Sequence, residues 1–120
     1  MEKNDGYRWI KVSETIEEIP FRANALVEMN AAGKAVCIGF HNGAIFACTA
    51  RCPHAGGSIA EGYWDAAGNI VCPLHRYKFN PKNGRNVSGE GYYLKIFPID
   101  LRKDGVFVGF KENNLLNWLK

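Results

Sequence analysis

Residues 52–75 read CPHAGGSIAEGYWDAAGNIVCPLH, and this stretch contains two short clusters of cysteine and histidine. The first cluster is Cys52-Pro53-His54, and the second is Cys72-Pro73-Leu74-His75. The 17 residues between His54 and Cys72 are enough for the chain to turn back and bring the second cluster beside the first. If the two clusters fold side by side, two thiolates and two imidazoles converge on one point. Such a donor set suits iron or zinc.

The pairing of one cysteine with one histidine in each cluster favours an iron–sulfur cluster over the alternatives. A two-iron cluster in which histidine replaces cysteine on one iron needs two cysteines and two histidines. A structural zinc site uses the same ligands, but it usually pairs cysteine with cysteine and histidine with histidine. A Cys52–Cys72 disulfide would leave both histidines unexplained, and a catalytic Cys–His dyad would leave the other pair idle. Zinc remains the alternative to iron.

On either side of these clusters, short apolar strands alternate with turn signals. The pair Asn42-Gly43 between residues 34–40 and 44–49 predicts a hairpin, because a type I′ turn needs positive φ at both central residues. Pro98 is expected to separate the strands predicted at 92–97 and 99–102. Asp104-Gly105 is expected to form another tight turn. The remaining predicted elements are strands at 7–12, 22–29, 69–71, 76–79, 92–97, 99–102 and 106–110, one helical turn at 13–18, and a short helical tail at 113–120. So many short strands predict an all-β sandwich or barrel.

Composition sets limits on the class of protein. A chain of 120 residues with 47% hydrophobic residues is the size of one domain, residues 1–120. The net charge of +3 comes without a basic run, so no nucleic-acid partner is expected. The sequence contains no apolar stretch of membrane-spanning length and no signal-peptide pattern, so we expect a cytoplasmic protein with no membrane contact.

The other chemically active residues do not suggest an enzyme. Cys37 and Cys48 lie in apolar strand contexts and are expected to be small buried hydrophobes. The third histidine, His41, flanks the predicted hairpin turn, so a mononuclear iron site of two histidines and a carboxylate cannot be built. There is no dinucleotide-binding fingerprint, so nicotinamide and flavin must bind a partner.

The two clusters resemble the two cluster-binding boxes of Rieske proteins. The match to the boxes is carried by Cys52-Pro53-His54-Ala55-Gly56-Gly57 and Cys72-Pro73-Leu74-His75, and it extends over most of the chain. Residues 44–47 are similar to the strand before the first box, residues 77–80 with Gly84 to the segment after the second, and residues 93–99 to the strand that follows the family's third loop.

The resemblance implies an antiparallel β-sandwich or barrel with a small cluster-binding subdomain, about residues 50–91, made of two loops. It implies one 2Fe–2S cluster per chain, with Cys52 and Cys72 on the buried iron. His54 and His75 would hold the outer iron near the surface, through Nδ1. The loop around residues 88–91 would cover the third side of the cluster, although it lacks the proline that is usual in the family.

Three positions distinguish this chain from respiratory Rieske proteins. Those proteins carry an additional, disulfide-linked cysteine in each box, where this chain has Gly57 and Leu74. They also place hydrogen-bond donors two and four residues after the second histidine, where this chain has Tyr77 and Phe79. We expect Tyr77 to pack on its neighbours, and Phe79 cannot donate. Fewer hydrogen bonds to sulfur lower the potential, which we expect at the low end of the Rieske range, roughly −150 mV.

The sequence therefore predicts a one-electron carrier rather than an enzyme. Its expected partners are a flavin-dependent reductase and a terminal oxygenase or other redox acceptor. One alternative is the small subunit of an assimilatory nitrite reductase, which shares the fold. The other is a zinc-stabilised structural domain.

Overall fold

The computed structural model describes residues 6–53, 56–74, 76–87 and 93–111, and its paired strands are all antiparallel. The all-β prediction is confirmed. Within these ranges, none of the helices has the length and apolar character that crossing a membrane requires. The strands are β1 (Tyr7–Ser13), β2 (Leu26–Ala31), β3 (Lys34–His41), β4 (Ala44–Thr49), β5 (Tyr63–Trp64), β6 (Ile70–Val71), β7 (Lys78–Phe79), β8 (Ile96–Phe97), β9 (Ile99–Arg102) and β10 (Gly105–Lys111).

The strands form three sheets. The first has the order β1-β10-β9, the second β2-β3-β4-β8, and the third β5-β6-β7. In the second sheet, Asn42 (φ 51°) and Gly43 (φ 79°) make the predicted hairpin turn, with His41 opposite Ala44. Positive φ at both central residues is what a type I′ turn requires.

The predicted extended segment 22–29 is wrong at its start, because β2 begins only at Leu26. The Asn24 side chain accepts a hydrogen bond from the Leu26 N–H at 3.2 Å, and Ala25 has φ 62°. An asparagine that bonds its own backbone two residues on makes a turn that competes with strand pairing.

Other expectations need smaller corrections. The sequence predicts no strand or helix within residues 52–65, but these residues include a 3₁₀ helix at Ile59–Glu61 as well as β5. The helical turn at 13–18 is a 3₁₀ helix at Ile16–Glu18, capped by the Thr15 hydroxyl. The last hairpin turns at residues 103–104, with Gly105 already paired to Arg102. The tail 113–120 lies outside the described residues.

The second sheet separates two hydrophobic cores, because side chains on a strand alternate between faces. Val36 and Ile38 belong to the core shared with the first sheet. Cys37 belongs to the other core, which contains Ile70 and Phe79 of the third sheet. The third sheet and its loops therefore rest on the face of the second sheet that carries Cys37.

Candidate metal centre

The two loops that carry the predicted ligands are closed in the same way. The Cys52 N–H donates to the Gly57 carbonyl at 2.7 Å. The Cys72 N–H donates to the Tyr77 carbonyl at 2.9 Å. In both loops the cysteine therefore bonds to the fifth residue after it. The two motifs of the sequence are thus closed by the same kind of backbone hydrogen bond.

Each loop also has a residue with left-handed backbone at the fourth position after its cysteine. In the first loop this residue is Gly56, with φ 73°. In the second it is Arg76, with φ 58°. Glycine adopts this conformation at no steric cost, whereas a residue with a Cβ is strained there. Arg76 therefore adopts the same left-handed backbone as Gly56 despite the steric strain from its Cβ.

The two cysteine sulfurs meet beneath the loops. Cys52 is 3% exposed and Cys72 is 1% exposed. The pKa of the Cys72 thiol is raised to about 11, mainly by burial. The Leu74 N–H that bonds to its sulfur lowers this pKa, whereas the hydrogen bond and charge of Cys52 raise it. The Cys72 thiol therefore stays protonated at neutral pH until a cation replaces its proton.

This donor set fits the buried iron of a 2Fe–2S cluster. Two sulfurs lie in contact inside an apolar core, and one already accepts a backbone N–H bond of the type that tunes iron–sulfur clusters. His54 and His75 lie outside the described residues. Across the described ranges, His, Cys, Asp and Glu form no group of three or more that could hold a metal ion. The described part of the site is thus the cysteine half alone.

Gly57 and Leu74, which occupy the positions of the additional cysteines in respiratory proteins, face each other across the two loops. A Cβ built on Gly57 would lie 2.8 Å from Cδ1 and 2.9 Å from Cγ of Leu74. The Leu74 side chain therefore takes up the space in which a residue at position 57 would place its side chain. Leu74 is 50% exposed, so this contact lies at the surface.

Replacing both residues, Gly57→Cys with Leu74→Cys, is expected to produce a disulfide between the two loops, because the built Cβ already touches the opposite side chain. Tryptic peptide 52–76 of the double variant should then lose the mass of two hydrogen atoms. Leu74→Cys alone is the control, and its thiol should react freely with N-ethylmaleimide. Full labelling of both new thiols in the double variant would show that the loops are farther apart.

Two side chains that brace the first loop were not predicted from the sequence. Asn24 donates through Nδ2 to the carbonyls of Ala60 at 2.8 Å and Gly62 at 2.9 Å. Arg22 pairs with Glu61 at 2.5 Å. Both contacts link the approach to β2 with the 3₁₀ helix that follows the first loop. No local signal identifies them, because the partners are more than thirty residues apart in the sequence.

The remaining residues singled out in the sequence act mainly through packing. The Tyr77 ring packs against the core that contains both site cysteines. Phe79 is fully buried there. His41 stacks on Trp64, with ring centroids 4.6 Å apart. Cys37 and Cys48 are buried, as predicted. Residues 88–91 lie outside the described residues.

Comparisons with known proteins bear on the cofactor class. A family model described as the Rieske [2Fe-2S] domain matches residues 8–98. The ferredoxin subunit of 3-phenylpropionate/cinnamic acid dioxygenase from Photorhabdus laumondii is 27% identical over 99 residues, which is 82% of this chain and 91% of that protein.

Two solved structures share the fold. One is a chain in the complex of reduced oxygenase and oxidized ferredoxin in carbazole 1,9a-dioxygenase, with a TM-score of 0.71, 23% identity, and coverage of 88% of this chain and 96% of that one. The other is named as the small subunit of an NADH-dependent nitrite reductase from Mycobacterium tuberculosis, with a TM-score of 0.72, 17% identity, and coverage of 87% and 96%.

These findings decide between the metals that the sequence left open. The matched family is defined by a 2Fe–2S cluster, so the cofactor class is iron–sulfur and not zinc. The match spans both loops, the second and third sheets and most of β1, and it ends at the residue before β9. The chain belongs to the Rieske [2Fe-2S] domain family.

Proposed function

We propose that this chain is a one-electron carrier that takes electrons from a reductase and passes them to an oxygenase or a similar acceptor. The observation that carries the proposal is the pair of buried, mutually bonded thiols of Cys52 and Cys72 at the base of two matching loops. The related dioxygenase ferredoxin subunit, aligned over most of both chains, supports a carrier rather than a catalytic role.

We further propose the full ligand set Cys52, His54, Cys72 and His75 for one cluster. When bound, a Rieske cluster supplies reversible one-electron redox chemistry. The buried cysteines would hold the inner iron away from solvent, and the Leu74 N–H supplies a bond to the Cys72 sulfur. His54 and His75 would hold the outer iron.

The proposed partners follow from chemistry that the chain lacks. The sequence has no dinucleotide fingerprint, so a separate reductase, of the flavin-dependent kind, must deliver electrons. With His54 and His75 assigned to the cluster, only His41 is left, so oxygen chemistry belongs to the acceptor. A cytoplasmic location suits the four free cysteines, because thiols stay reduced there. We also propose that residues 1–120 form one domain, with residues 50–91 as the cluster-binding subdomain.

We expect a midpoint potential of roughly −150 mV, at the low end of the Rieske range. The physical reason is that Phe79, at a position where respiratory Rieske proteins have a hydrogen-bond donor, is buried and cannot donate to sulfur. An anaerobic redox titration followed by EPR, with a signal of low average g in the reduced state, measures this. A midpoint above about +100 mV, which is well up the Rieske range, would contradict a carrier that accepts electrons from a flavin reductase.

Electron delivery itself tests the function. The reconstituted protein should be reduced by NADH through a flavin-dependent ferredoxin reductase, and should then reduce a Rieske-type terminal oxygenase in a second mixing step. The nitrite reductase alternative is favoured by the similar fold of the Mycobacterium tuberculosis subunit. Co-purification with a large sirohaem subunit, together with failure to reduce any oxygenase, would replace the carrier proposal by that alternative.

A further inference from the structure

Cys37 and Cys48 lie directly opposite each other on β3 and β4. Both point into the core beneath the third sheet and its loops, and they are 1% and 2% exposed. Both are free cysteines. The proposed cluster ligands do not include them, so the structure contains a second pair of thiols with no assigned role.

The register of the hairpin places this pair at a separation that a disulfide can span. His41 and Ala44 flank a two-residue turn and so form a hydrogen-bonded pair, and such pairs recur at every second position along the strands. Cys37 lies four residues from His41, so Cys37 and Cys48 also form a hydrogen-bonded pair, with Cα atoms about 5.5 Å apart. Disulfides join Cα atoms about 4.4 to 6.8 Å apart, so this pair lies within the Cα range of disulfides.

The two side chains are already in contact. The thiols of Cys37 and Cys48 are hydrogen-bonded to each other, and this bond, with burial, raises the pKa of the Cys48 thiol well above its ordinary value. The sulfurs therefore sit next to each other in the reduced state. Since the thiolate is the reactive form and both groups are buried, oxidation must be slow and must use a small oxidant that enters through local opening.

We propose that Cys37 and Cys48 form a second redox site, a dithiol that hydrogen peroxide converts reversibly to a cross-strand disulfide. One sulfur attacks peroxide, so that an S–O bond forms, the O–O bond breaks and water leaves. The other sulfur then displaces the hydroxyl, which forms the S–S bond and releases a second water. Each sulfur gives up one electron, the peroxide takes up both, and the two thiol protons end in the waters.

This site is separate from the proposed cluster and does not depend on it. The disulfide uses neither Cys52 nor Cys72, and it fastens the hairpin whose second strand leads into the first cluster loop. The chain would then carry a one-electron centre and, in the same core, a two-electron thiol pair.

Trypsin separates the two cysteine pairs, which makes the proposal directly testable. Cleavage after Lys34 and Arg51 gives peptide 35–51 with Cys37 and Cys48, and cleavage after Arg76 gives peptide 52–76 with Cys52 and Cys72. Cluster-loaded protein is treated with stepwise additions of hydrogen peroxide while the visible absorbance is followed. Samples are then denatured in the presence of N-ethylmaleimide and digested with trypsin, and the peptide masses are measured by mass spectrometry.

In the untreated protein, peptide 35–51 should carry two labels. After treatment it should carry none and lose the mass of two hydrogen atoms while the visible absorbance persists, and dithiothreitol should restore both labels. Cys48→Ser is the control, in which the remaining thiol has no partner and the peptide cannot close. Persistent double labelling, higher sulfur oxides, a cross-link to peptide 52–76, or closure only after the absorbance is lost would each overturn the proposal.

Discussion

Replacing Cys72 by serine is expected to remove essentially all bound iron and acid-labile sulfide from the protein. Cys72 is 1% exposed, bonded to the thiol of Cys52 and to the Leu74 N–H. A serine hydroxyl in this position is a poor ligand for a soft iron–sulfur unit, since thiolate is the donor that such clusters select. Iron and sulfide analysis of anaerobically reconstituted protein, with EPR of the reduced state, measures the loss.

The matched control is Cys48→Ser, because it makes the same chemical change at another buried cysteine of the same core. Cys48 is 2% exposed, so both variants bury one hydroxyl and lose similar packing, a cost of about 1 to 3 kcal/mol if the hydroxyl finds no partner. Cys48→Ser should keep the cluster and its spectrum. If Cys72→Ser retains two irons, Cys72 is not a ligand, whereas equal loss in both variants would trace the effect to packing in this core.

The parts of the fold that could be predicted from sequence are those governed by local chemistry. Asn42-Gly43 predicts its turn because few residue pairs accept positive φ at both positions. The apolar runs on either side of this turn predict β3 and β4. The turn at Ala32-Gly33 has the same backbone, with φ 54° and 87°, but alanine gives no such signal. That turn was therefore missed, although the strands on either side of it were predicted.

In the site, too, the features that follow from local sequence could be predicted, and those set by distant contacts could not. Cysteine and histidine in two short clusters indicate metal binding because few other roles need those side chains together. The left-handed backbone of Arg76 has no signature in the residue type. The same holds for Asn24, whose amide reaches the carbonyls of Ala60 and Gly62 across the fold. Such contacts depend on tertiary packing, which a pattern of residues does not encode locally.

Substitution of Gly84 by alanine is expected to destabilise the protein far more than the same substitution at Gly43. Gly84 has φ 76°, so any Cβ there is strained by about 1 to 2 kcal/mol. A Cβ would also overlap the Leu94 carbonyl oxygen, which is backbone and cannot rotate away. The Gly84 carbonyl accepts the Leu94 N–H at 2.8 Å, so relieving the clash breaks this bond as well.

We therefore expect Gly84→Ala to lower the free energy of unfolding by about 3 to 4 kcal/mol, the range of a severe point mutation. The effect should extend to the metal centre, because Leu94 is 2% exposed and packs in the core that contains Cys52 and Cys72. Urea unfolding of equally cluster-loaded proteins measures the stability, and the rate of iron release to a chelator measures the effect on the site.

Gly43→Ala separates backbone strain from the clash. Gly43 has φ 79°, almost the same as Gly84, but a Cβ there meets nothing within 4 Å. Alanine at position 43 should cost only the strain, about 1 to 2 kcal/mol, and should leave iron release unchanged. Because the two variants share the backbone conformation, the difference between them isolates the contact with Leu94. Equal losses of stability would mean that Gly84 lies farther from the Leu94 carbonyl than the hydrogen bond between the two residues indicates.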